Sequence, residues 1–273
     1  SSEARISFIF LPVFCAFGGY LCPGRAIGMF LCCAAKDGEN GKAALVETGS
    51  VSSFWSGGQG NLVKHQTGTT RRADGSVYVG ELVDGHFDGR GKLVMADGIV
   101  FEGQWRNDRV HGEGKHIHPD GRCYHGEWRD GMKSGHGFEQ YLDGTSYRGE
   151  FLADEKSGNG TLYERGEVVV YDGEFQNDMM HGQGSFKFKD GRAYCGTWKL
   201  GEMSGDGTMT WPEGLRFEGQ FARNVREGVG KLTYPDGRCY VGQWAKGKQH
   251  GEGVVRDMFG HEVKGKWKDG REL

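Results

Sequence analysis

The sequence predicts an all-β protein: an elongated, single-layer antiparallel sheet of stacked β-hairpins of ~23 residues each. Three observations predict it. Glycine supplies 50 of the 273 residues against only 5 prolines, far above the usual ~7% share of glycine. The pattern aromatic-x-Gly-x-aromatic recurs around Gly80, Gly103, Gly126, Gly149, Gly173, Gly196, Gly219, Gly242 and Gly265, in steps of 23 residues broken by one step of 24. A Gly-x-Gly follows each of the first eight nine residues later, and an Asp-Gly pair follows most of them eighteen residues later, as at Asp97-Gly98 and Asp120-Gly121. Self-similarity at a fixed period marks a repeat architecture, whose units stack because none buries its apolar face alone.

The chain divides into three parts. Residues 1–35 form an apolar tract in which the 17 positions from Ile6 to Cys22 carry no charge. Seventeen apolar residues interrupted by Pro12 and Gly18-Gly19 are at the short limit of a membrane span. Three readings stay open: an inserted or S-acylated anchor using Cys32 and Cys33, a cleaved secretory signal, or an over-extended start with translation beginning at Met29. Residues 36–75, rich in Gly, Ser, Thr and Gln, read as a flexible linker, and residues 76–273 read as the array.

Within the array, Gly114 to Trp128 reads as strand, turn at Asp120-Gly121, strand, because glycine accepts the positive φ of a tight turn. A loop from Arg129 to Ser134 then leads to the next Gly-x-Gly strand. The unit after Gly149 carries Arg165-Gly166 in place of Asp-Gly, which predicts a bulge or a wider turn. Side chains alternate across a strand, so parity places the rings and the central glycines on one face. The glycines should leave room for rings to lie over the backbone. Lys92, Lys115, Lys187, Thr208, Thr210, Lys231 and Thr233 take the opposite, solvent face.

The ring face is the main functional candidate. Tyr124, Trp128, Tyr147, Phe151, Tyr171, Phe175, Tyr194, Trp198, Phe217, Phe221, Tyr240 and Trp244 make two parallel stripes. They read either as the core of a thin protein or, where a single layer leaves them uncovered, as a patch for a helix or extended peptide of a protein partner. A second candidate is a basic stripe of Lys92, Lys115, Arg122, Arg192, Lys231 and Arg238 facing acidic phospholipid. Exposed sheet edges would allow end-to-end dimers, and the oligomeric state stays open.

Other chemistry is excluded or disfavoured. Residues 76–273 hold 27 basic against 32 acidic side chains, the wrong field for nucleic acid. The Gly-x-Gly pairs open no helix, so they are not phosphate loops. His111, His181 and His250 share one slot two or more repeats apart, too distant to share a metal, and read as turn residues. His116, His118 and His125 lack an evident fourth ligand. No catalytic constellation, metal or cofactor is expected. Cys123 and Cys239 lie five repeats apart, ~48 Å, and Cys195 lies two repeats from Cys239, against the ~5.5 Å of a disulfide, so none of the three should pair, which favours a reducing cytoplasm.

Phe101 to Gly114 (FEGQWRNDRVHGEG), Tyr171 to Gly184 (YDGEFQNDMMHGQG) and Tyr240 to Gly253 (YVGQWAKGKQHGEG) resemble the MORN repeat, Tyr-x-Gly-x-Trp-x-x-Gly-x-x-His-Gly-x-Gly. On this resemblance the array holds eight full units and a truncated ninth. Leu82 in the first unit and Val263 in the last depart from the pattern, as terminal units do. The resemblance implies a non-enzymatic, membrane-associated or cytoskeletal scaffold at a membrane–cytoskeleton junction. Its alternatives are a phosphoinositide-contact module or the regulatory array of a larger enzyme such as a lipid kinase.

Overall fold

The computed structural model describes residues 65–166 and 168–273. Nineteen strands, from His65–Arg71 to Arg271–Glu272, form an open antiparallel sheet, and no helix occurs among the described residues. Their described residues fall into two compact units, one of residues 65–169 with 175–178 and one of residues 170–174 with 179–273. The apolar tract with Cys32 and Cys33, and most of the expected linker, lie outside the described residues. The linker is corrected at its end: His65–Arg71 is a strand paired with Val77–Val83, Gly68 opposite Gly80. Its sequence HQTGTTR has the alternating, β-branched character of a strand without the rings that mark the other units.

Each hairpin uses two kinds of turn. In the first unit, strands Val100–Arg106 and Arg109–Ile117 meet through Asn107-Asp108, at φ 47° and 65°. Two successive left-handed residues make the type I′ turn, whose twist matches that of the flanking strands. The loop expected over Arg129–Ser134 is the same device: strands Cys123–Arg129 and Met132–Gln140 are separated only by Asp130-Gly131, at φ 53° and 90°. In the second unit Leu200-Gly201, Arg223-Asn224 and Lys246-Gly247 repeat it.

The Asp-Gly segments form the longer connections. The amide of His118 donates to the Arg122 carbonyl at 2.9 Å, and the Asp120 carboxylate accepts from the Arg122 amide at 3.0 Å. The Arg165-Gly166 connection is tighter than expected, joining strands that end at Glu164 and resume at Val168, where the other connections span 118–122 or 188–192.

The two glycines of each Gly-x-Gly do different work. The first sits in a bulge: register shifts between Gly103 and Trp105, and opposite them Gly112 holds φ 68°. The second faces a ring, so that a Cβ on Gly137 would stand 2.5 Å from the Tyr124 ring. The rings therefore lie over the backbone, as parity and glycine spacing suggest.

Candidate functional site

The stripes of twelve rings are the core. None of the twelve is more than 6% exposed, and Tyr147, Tyr171, Tyr194 and Phe217 are at 0%. Packing explains how one layer hides them. In the first unit Phe151 meets Tyr124 and Tyr147 edge-on, with centroids 5.1 Å apart in both cases. In the second unit Trp244 stands 5.0 Å from Phe217 and Trp267 stands 5.0 Å from Tyr240, again near perpendicular. Edge-to-face geometry sets each positive ring edge against a neighbour's π face.

The polar ends of the rings are also used internally. The Tyr124 hydroxyl donates to the Glu127 carbonyl at 2.9 Å and the Tyr194 hydroxyl to the Thr197 carbonyl at 3.0 Å. Trp128 and Trp198 Nε1 donate to the Gly114 and Gly184 carbonyls at 3.1 and 3.2 Å. Burial pushes the Tyr240 hydroxyl up to about 12. The expectation that these rings present their own faces to a partner is thus corrected: a partner on this side meets the side chains around them.

Three of those side chains are cations that sequence reasoning missed. Lys133 Nζ lies 5.1 Å from the Tyr124 centroid and pairs with Glu139, which also accepts from the Tyr141 hydroxyl at 2.9 Å. Lys156 Nζ lies 5.6 Å from the Tyr147 centroid and 3.2 Å from Asp178. In the second unit the Arg226 guanidinium lies 4.5 Å from the Trp244 centroid and donates to the Gly247 carbonyl at 2.7 Å. Burial lowers the Arg226 guanidinium below its ordinary range. All three are the second residue after a two-residue turn, on the parity of the Trp/Phe stripe, and that placement was readable.

A rim flanks the core. In the first unit it is polar: Phe101 meets Trp105 and Trp128 edge-on at 6.5 and 6.0 Å and also lies flat on His116, centroids 4.0 Å apart at 8°. With His118, Lys133, Glu139 and Tyr141 these residues line a cleft of about 480 Å³. Burial first, then the charges of His118, Lys133 and Arg122, drop the His116 imidazole to about 4. In the second unit the rim is aromatic: Phe186, Phe188, Trp211 and Tyr234 are half-buried. Arg192 lies over Phe188 at 4.8 Å and Arg238 over Tyr234 at 5.3 Å.

The basic stripe is corrected as well. Lys92, Lys115 and Lys231 lie on the solvent face, where Glu102 stands opposite both Lys92 and Lys115, and Glu218 opposite Lys231. Arg122, Arg192 and Arg238 lie instead in the turns on the ring side, each bound to an aspartate two residues earlier, at 2.9, 2.7 and 2.7 Å. These acids neutralise the field on which attraction to an anionic surface depends.

His111 accepts weakly from the Asp130 amide at 3.4 Å, a turn role. The His181 and His250 Nδ1 atoms are buried without a hydrogen bond. His125 opposes Lys115 on the solvent face, away from His116 and His118. Among the described residues no three metal-ligating side chains converge, and no helix is long and apolar enough to cross a membrane. Cys123 and Cys239 form no disulfide, but Cys195 is disulfide-bonded, which corrects the expectation that none of the three could pair.

Comparison with solved structures finds likenesses of low identity. The SAS-4 (dCPAP) TCP domain of Drosophila melanogaster, in complex with a proline-rich motif of Ana2, is 11% identical, with TM-score 0.28, over 79% of this chain and 97% of that one. A mutant TCP10 domain of Danio rerio CPAP is 13% identical, with TM-score 0.28, over 75% and 95%. A streptogramin B lyase is 10% identical, with TM-score 0.16, over 72% and 67%. Comparison with the curated proteins finds no match. The MORN repeat model matches residues 78–100, 101–121, 124–146, 147–166, 171–191, 194–216, 217–237 and 240–256. These matches cover most of the chain, and with the glycine, ring and turn geometry of each unit they make it a member of the MORN-repeat family.

Proposed function

We propose that the protein is a non-enzymatic scaffold in the cytoplasm that holds a protein partner along the rim of the ring face. One observation carries the reading. The core rings are closed off, yet beside them the same face keeps half-buried aromatics and a cation: Phe186, Phe188, Trp211, Tyr234 and Arg226. Aromatic residues and arginine at a partly solvated surface are the composition of binding hot spots. The shifted groups support a structural reading of the titratable residues, since the tyrosines are raised by core burial and Asp120 and Asp236 are lowered first by their bonds to Arg122 and Arg238. Direct phospholipid contact has less support, because the candidate cations face or bind carboxylates.

Site-specific photocrosslinking in the native cell tests the scaffold. With p-benzoylphenylalanine replacing Phe188, adducts to a protein should form. With the same probe replacing Lys231 on the opposite face they should be absent. Equal labelling from both positions, or none from Phe188, would remove the assignment.

A further inference from the structure

The rim of the second unit has a period that selects its ligand. Phe188, Trp211 and Tyr234 are 23 residues apart, and each opens a turn of the same form. Their amides donate to the carbonyls of Arg192, Leu215 and Arg238 at 2.8, 2.9 and 2.8 Å. The turns stack tightly: a Cβ on Gly191 would stand 2.7 Å from Pro212 Cγ, and one on Gly214 would stand 3.4 Å from Pro235 Cγ. The three rings therefore sit on a preformed row, one per repeat. The next equivalent position is Asp257, where the rings stop.

Two antiparallel strands advance ~9.6 Å, so the rings recur at that interval. A polyproline II helix climbs ~3.1 Å per residue with three residues per turn, ~9.3 Å. Every third residue of such a segment returns to the same side at nearly the ring spacing, and the mismatch across three rings is only ~0.6 Å. Other conformations fail this match. An α-helix advances ~6.4 residues over the interval, about 1.8 turns, and presents the wrong side. An extended strand advances ~2.9 residues, and its third residue points to the opposite face.

Charge adds a second requirement. Arg192 and Arg238 are matched by Asp190 and Asp236. Arg226 lies 5.8 Å from the Trp211 centroid and donates to the Gly247 carbonyl, and among the described residues it pairs with no carboxylate. A half-buried cation among rings is stabilised by an acid brought to it.

Resting on the scaffold reading, we propose that Phe188, Trp211 and Tyr234 dock a proline-rich segment in the polyproline II conformation, with a carboxylate of that segment beside Arg226. Such a ligand arrives already ordered, and the ring row is rigid, so little conformational entropy is lost on binding.

Fluorescence anisotropy with labelled dodecapeptides tests this on the full chain. Four repeats of the triplet Pro-Pro-Glu should bind, and four repeats of Pro-Pro-Gln should bind more weakly. Trp211→Ala should weaken both by about tenfold. Arg226→Gln should weaken the Glu peptide and leave the Gln peptide unchanged, a pattern that loss of fold cannot produce. Overturning results are failure of both peptides to bind the folded protein, or equal binding by Trp211→Ala. Adducts from the Phe188 photoprobe with no binding of either peptide would reject the polyproline ligand and leave the scaffold standing.

Discussion

The two units use the same core and carry different rims. In the first, the row at the longer turns reads Met95, His118, Tyr141, Glu164, and in the second it reads Phe188, Trp211, Tyr234, Asp257. The covering cations differ likewise: Lys133 and Lys156 each hold a carboxylate, while Arg226 holds a backbone carbonyl and no carboxylate among the described residues. The rings beneath are the same edge-to-face stack in both. The repeat constrains positions that touch glycine-backed rings and releases those one step outward, and the released positions are where the units become different surfaces.

The largest test of this division is truncation in the core against truncation at the rim. Tyr147→Ala removes a fully buried ring that packs on Phe151 and Phe175, and should cost about 3–5 kcal/mol by chemical denaturation. Tyr234→Ala, at a half-buried rim position, should cost under ~1 kcal/mol. Similar losses at the two sites would erase the distinction between core and rim.

Acid should separate the units next. His116 titrates at about 4 in the fold, below the ordinary imidazole value, so the unfolded chain binds more protons between those values. The contribution of neutral His116 is complete above ~6.5 and falls as pH drops toward about 4, a loss of ~1–3 kcal/mol confined to the first unit. Hydrogen exchange at pH 7 and pH 4.5 should show first-unit amides losing protection ahead of second-unit amides. His116→Leu, which restores the residue found at positions 93, 162 and 232, should abolish the difference.

A smaller effect is expected from the ring hydroxyls. Tyr194→Phe leaves the Thr197 carbonyl without its 3.0 Å donor and should cost about 1 kcal/mol, whereas position 217, already Phe, shows that the ring alone can fill the slot.

Much of this was legible in the chain, because period, parity and glycine placement are one-dimensional facts. The hairpins, the two faces and the ring stripes follow from them. The tight turns were harder. Asp130-Gly131 carries an overt turn signal and still reads as part of a loop when the partner strand is misplaced, while Leu200-Gly201 and Arg223-Asn224 share no dipeptide with it. The strand His65–Arg71 lacks the rings that announce every other unit. Exposure was the least legible property. Parity assigns a ring to a face, but whether solvent reaches it depends on neighbours a whole repeat away, as Tyr124 against Phe151 shows. The stacking of Phe101 on His116 depends likewise on a cross-strand partner.

The two-residue turns carry a consequence for how such a chain changes size. From Asn107-Asp108 onward the second residue of each turn reaches back one unit: Asp108 donates its amide to the Phe87 carbonyl at 3.0 Å, Asp154 to Lys133 at 3.1 Å, Asn224 to Met203 at 3.1 Å. Where that residue is Asp or Asn, its side chain also accepts from the same partner's amide, at 2.9, 2.8 and 2.8 Å. The inserted residue that lengthens one period is absorbed without loss, since Asp178 makes both bonds to Lys156 at a separation of 22. Every latch points to the immediate predecessor and to nothing further, so a unit gained or lost through unequal exchange of the coding sequence finds its latch already waiting. The gene can thus lengthen or shorten its product in whole steps, and a rim surface can be copied, moved or retired without renegotiating the core.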